Sequence, residues 1–86
     1  MPTIGRIGSL SVMIFRNDHD PPHFHVFGDG FSARFAIADA ALLSVAGTMS
    51  ARARRAVVAW GQRYRTELYD NWDLARVGQP ARKIES

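Results

Sequence analysis

Residues 17–28 read NDHDPPHFHVFG, and this stretch brings together all three histidines, two of the four prolines and two aspartates of an 86-residue chain. Pro21-Pro22 fixes φ twice and restricts the residue before each ring, so the loop entering the stretch is extended and stiff. The alternation that follows has the two-residue period of a strand over 23–27. With Phe24 and Val26 turned towards a core, His23 and His25 share the opposite face. Gly28-Asp29-Gly30 makes a turn, and 31–37 repeats the alternation with Phe31, Ala33, Phe35 and Ile37 inward. Arg34 is left on the other side, where pairing through the turn brings it towards the histidines. The stretch therefore sets both an antiparallel sheet and the one face of it that carries chemistry.

Working outward, 3–7 reads as an edge strand and Gly8-Ser9 as a two-residue turn into a strand over 10–16, with Leu10, Val12 and Ile14 on its core face. Asn17-Asp18 breaks that run with residues that favour turns. Downstream, 39–47 is either a last short strand or an irregular turn. Ser50 is placed to cap a long helix over about 51–69, whose Ala53, Val57, Trp60, Tyr64 and Leu68 fall on one stripe. Arg52, Arg54, Arg55, Arg63 and Arg65 cover the wider outer face, with no acid between 52 and 65. Asp70 or Asn71 is placed to cap a short helix over about 72–77, ended by Gly78 and Pro80, and 79–86 reads as a loose basic tail. The fold expected is α+β in one domain over 1–86, with ββββα order. A small antiparallel sheet of about four strands is packed by one long C-terminal helix plus a short terminal helix.

Composition narrows the function classes. An apolar fraction of 47% and nine aromatics suffice for a core in a chain of this size, where folding buries about 60–65% of the surface. The absence of cysteine excludes disulfides and thiolate metal sites, leaving imidazole and carboxylate as metal ligands. No apolar run approaches the roughly 20 residues that span a bilayer, and 1–10 has no signal-peptide core, so no membrane role and a cytoplasmic location are expected. The formal charge of +3 is unevenly spread: residues 1–50 hold three Arg against four Asp, whereas 51–86 hold eight Lys or Arg against four Asp or Glu. That basic half suits nucleic acid or an acidic protein surface, and equally a solvated helix face.

Four segments, MPTIGRI at the start, NDHDPPHFHV in the loop, AVVAW in the helix and NWDLARVGQPARKIE at the end, together resemble the bacterial DUF4160 family over essentially the whole chain. HDPPHFHV is the most specific of them; NWDLA and GQP agree with it. The resemblance implies a small, stand-alone bacterial protein, often encoded beside a small companion of the DUF2442 family, an arrangement suggesting a toxin–antitoxin-like pair. Its matching positions are His19, Pro22, His23, His25, Asn71 and Trp72. The stretch AIADAALLSVAGT is more alanine-rich than that likeness leads one to expect.

Two chemistries suit the histidines. In the first, they divide general acid and base roles on RNA at neutral pH, with Arg34 or the helix arginines holding phosphate; His19, His23, His25 and Arg34 are the catalytic candidates. Arg52, Arg54, Arg55, Arg63, Arg65 and Trp72 then form a surface for RNA or DNA, or for a DUF2442-like cognate partner. In the second, a non-catalytic partner-binding module holds a divalent metal such as Zn through His19, His23 and His25, with Asp18 as an alternative to His19. No other cofactor is expected. A structural reading of the same loop has His19 and His23 hydrogen-bonding the backbone and His25 merely exposed. Self-association through the edge near Thr3–Ile7, or through Trp72, would give a homodimer.

Overall fold

A computed structural model describes residues 3–84. The chain runs β1 (Gly5–Ile7), β2 (Leu10–Met13), β3 (His23–Gly28), β4 (Phe31–Ala36), β5 (Leu42–Gly47), α1 (Ala51–Arg63) and α2 (Arg65–Arg76). The strands form one antiparallel sheet in the order β1-β2-β3-β4-β5, followed by the two helices, so the class is α+β. Where the sequence left 39–47 open between strand and turn, the chain forms a fifth strand. Ala41 N–H bonds the Asp39 side chain and Ala36 N–H bonds the Ala41 carbonyl, which closes the connection into β5.

The alternation holds in register. Phe24 pairs with Phe35 and Val26 with Ala33, all buried, while His25 pairs with Arg34 on the opposite face. Phe24 and Phe35 stack at 5.7 Å, and Trp60 of α1 lies 6.3 Å from Phe24, so the helical layer covers this face of the sheet. Burying each of these rings contributes on the order of 2–3 kcal/mol. Gly61 permits the close approach: a Cβ there would stand 3.1 Å from Phe24 Cζ. Ser50 caps α1 as expected, its Oγ accepting from Ala53 N–H at 3.0 Å.

The helical region differs from the expected long helix and short successor. Two helices of similar length meet at Tyr64, whose φ of −105° and ψ of 28° leave the helical region, although Leu68 N–H still bonds the Tyr64 carbonyl. A straight helix over 51–76 would be about 39 Å long at 1.5 Å per residue. The molecule's longest dimension is 34 Å. Interrupting the helix at Tyr64 brings Leu68 and Trp72 back onto the core, where both are buried.

Asp70 and Asn71 consequently lie inside α2 rather than at its cap. Asn71 is 2% exposed and clamps the chain that follows: its Nδ2 donates to the Arg82 carbonyl at 2.9 Å, and its Oδ1 accepts from Arg82 N–H at 2.7 Å. Ile84 is buried, and its N–H bonds the Ile4 carbonyl. The tail expected to be loose is therefore docked over 79–84, because one apolar side chain and one buried amide hold it; 85 and 86, the rest of that expected tail, lie outside the described residues. This docking also occupies part of the edge near Thr3–Ile7 that was expected to be open for self-association. The other edge of the sheet is β5, where Leu43 and Val45 are exposed.

Candidate functional site

The site begins with a turn. Asp18 N–H bonds the Phe15 carbonyl, and Phe15 N–H returns a bond to Asp18 Oδ2 at 3.0 Å, which directs the Asp18 carboxylate inward against β3. The chain then passes His19, which is exposed, and enters the two prolines through a cis Asp20-Pro21 peptide. The Pro22 carbonyl accepts from Ile37 N–H, fixing the loop to the end of β4. The Pro21 carbonyl lies 2.8 Å from His23 Nδ1.

That last contact determines the state of His23. A carbonyl only accepts, so Nδ1 carries the proton, and in the neutral ring Nε2 presents a lone pair. Nε2 is buried and has no hydrogen-bond partner, while Asp18 Oδ1 faces it at 3.6 Å. With the ring neutral, two acceptors face one another, the His23 side chain 4% and the Asp18 side chain 13% exposed. A cation between them, whether a proton or a metal ion, turns that opposition into attraction. Trp72 explains the burial: its ring lies 5.4 Å from that of His23, closing the inner end of the site. Trp72 is itself 3% exposed, so the residue expected to anchor a partner belongs to the core.

His25 completes the group. Its Nε2 lies 3.2 Å from both Asp18 oxygens, its ring is 5.1 Å from His23, and the edge-on Phe15 ring is 4.5 Å away. Burial pushes the His25 pKa below its ordinary 6.5; His23 and Arg34 act in the same sense, opposed by the hydrogen bond and charge of Asp18. The ring is consequently held towards its neutral form, the one that ligates metals.

One ligand atom from each of Asp18, His23 and His25 lies within 4.8 Å of the other two. Ligand atoms about 2.1 Å from a tetrahedral ion are themselves about 3.4 Å apart. The separations of 3.2 Å and 3.6 Å from Asp18 Oδ1 to the two histidines bracket that value. The Nδ1 bond of His23 to a backbone carbonyl is the support that metal-binding imidazoles ordinarily have. Three protein ligands would leave at least one coordination position open, as in catalytic rather than structural zinc sites.

Arg34 stands across the strand pair from His25, and its Nε donates to Ser44 Oγ at 2.8 Å. Two shallow grooves meet at its side chain. One is lined by His25, Phe27, Ser32 and Ser44, the other by Asp18, His19, Asp20 and His23. The structure thus brings His23, His25 and Arg34 together, leaves His19 exposed at a rim, and places Asp18, the alternative to His19, beside the two strand histidines. Asp18 follows from the turn with Phe15; the pattern of histidines alone does not indicate it. Ser44 was not anticipated, because β5 was not established as a strand.

Arg52, Arg54, Arg55, Arg63 and Arg65 are all exposed on the helical layer. That layer covers the sheet face opposite His25 and Arg34, and reaches the histidine centre through Trp72 of α2. Arg63 lies over the Tyr64 ring at 5.5 Å.

Fold and site together define a small α+β protein with an Asp-His-His cluster at one end of its outer sheet face. The family model described as Domain of unknown function (DUF4160) matches residues 9–73, most of the chain, and the protein belongs to that family. The matched segment contains the whole cluster and ends one residue beyond Trp72. Comparison with curated proteins and with solved structures gives no match. Among the described residues, no helix is long and apolar enough to cross a membrane.

Proposed function

We propose that this protein binds one divalent metal ion of the Zn2+ or Fe2+ type through Asp18, His23 and His25, and acts through the coordination positions left open. The observation that carries this reading is the buried Nε2 of His23, stripped of partners, with its other nitrogen committed to Pro21 and an aspartate oxygen in front of it. Two imidazoles with one carboxylate match the ligand preferences of Zn2+ and of non-haem Fe2+. Such an ion supplies Lewis acidity and lowers the pKa of a bound water to about 7. The reading places the protein among metal-assisted hydrolytic or ligand-binding modules.

The nucleic-acid or partner role suggested by the toxin–antitoxin-like resemblance attaches in this proposal to a separate surface, supported by the five exposed arginines on the helical layer. Phosphate or an acidic DUF2442-like partner would be met there without touching the metal ligands. A cytoplasmic location belongs to the same reading.

The test is elemental mass spectrometry on the untagged chain, before and after loading with Zn2+ or Fe2+, alongside Asp18→Asn and the His23→Ala, His25→Ala double variant. One equivalent of metal in the native chain, lost in both variants while circular dichroism stays native-like, supports the proposal. No metal retained by the loaded native chain overturns it and leaves acid–base chemistry or a structural loop.

A further inference from the structure

We infer that the open side of this metal centre is a subsite for the phosphate group of an ester, with Arg34 as its second cation. The inference rests on the metal-binding reading and adds the ligand class. Arg34 is the cross-strand partner of His25, and both grooves at the centre share its side chain as a wall. Ser44 holds the guanidinium by Nε, leaving the terminal nitrogens for a ligand. No carboxylate pairs with Arg34 among the described residues.

Charge selects an anion. A divalent ion with Asp18 and Arg34 sums to +2, and counting Asp20 on the groove rim still leaves +1. A guanidinium fixed beside a metal ion is unfavourable unless an anion lies between them. Phosphate suits the position better than a simple carboxylate, since it can give one oxygen to the ion and two to the planar fork of arginine. Ser32 and Ser44 add hydroxyl donors in the groove that runs past His25. Phe27, 36% exposed and parallel to the His25 ring, offers an apolar wall for the group esterified to the phosphate.

The experiment titrates the Zn2+-loaded native chain with inorganic phosphate, adenosine 5′-monophosphate and acetate, followed by calorimetry, and repeats it with Arg34→Ala and Arg34→Lys. Bound metal is measured on every sample. Both phosphates should bind, acetate should bind more weakly, and Arg34→Ala should weaken phosphate by about tenfold or more with the metal retained. Arg34→Lys should recover part of the loss, because it restores the charge without the fork. Stronger binding of the nucleotide than of inorganic phosphate supports the inference and assigns a role to the Phe27 wall; equal binding supports recognition of the phosphate alone. Full metal with phosphate affinity unchanged in Arg34→Ala, or with no phosphate binding, overturns this inference and leaves the metal reading standing. No metal in the loaded native chain overturns both.

Discussion

Replacing Asn71 by alanine removes a clamp whose parts are all visible. Its amide makes two bonds to the backbone of Arg82 and a third to the Glu67 carbonyl. The Glu67 contact supplements a helix carbonyl, so it adds little; each bond to Arg82 contributes about 1 kcal/mol net. If the strand of tail then lifts, Ile84 loses its burial, a further loss of about 1.5–3 kcal/mol. The expected destabilisation is therefore about 2–5 kcal/mol, a large share of the 5–15 kcal/mol typical of a domain. At about 4–8 °C per kcal/mol, Tm should fall by at least roughly 8 °C. Thermal and urea melts measure this, and limited trypsin digestion locates it, since Arg82 and Lys83 lie in the released segment. Asn71→Asp keeps the acceptor for Arg82 N–H but turns a buried carboxylate oxygen onto the Arg82 and Glu67 carbonyls, so it should destabilise at least as much as alanine. A Tm change under about 2 °C, with the tail no more sensitive to trypsin than in the native chain, would refute the clamp.

Two further outcomes follow from the geometry. In the presence of chelator, stability should decline as pH falls below 6.5, because the unfolded His25 takes up a proton that the folded site resists; the contribution is complete above 6.5 and is lost as pH drops through the lower folded value. A His25→Gln variant melted between pH 7.5 and 5 should show a flatter profile, and an unchanged slope would exclude His25 as the source. Gly47→Ala should destabilise by more than about 1 kcal/mol, since Gly47 has φ +84° and a Cβ would collide with the Gly30 carbonyl. Urea melts of that variant give the value directly, and native stability would contradict the β4–β5 geometry.

Much of the sheet was legible because strand alternation is a local property. Phe24, Val26, Ala33 and Phe35 could be assigned inward and Arg34 opposite the histidines from the period and one glycine turn. The break at Tyr64 was not legible, because Trp60, Tyr64 and Leu68 keep helical spacing on either side of it. The docked tail depends on Ile84 meeting Ile4, a pairing no window of sequence contains. At the site, the two strand histidines and Arg34 were found from periodicity. The choice of Asp18 over His19 was not, since it depends on which way a four-residue turn aims its side chains. The burial of His23 depends on Trp72, which reaches it from the last helix.

The sheet repeats chain order from β1 to β5, so each pair of strands closes over a short connection. Ile84 to Ile4 is the exception, joining the two ends of the described chain. Its loop has the largest closure entropy of these pairings, and contacts of such long range tend to form late in folding. Contacts made after the rate-limiting barrier leave the folding rate nearly unchanged and slow unfolding instead. The clasp thus acts on the lifetime of the native state, and sets how long an assembled site persists more than how quickly it assembles.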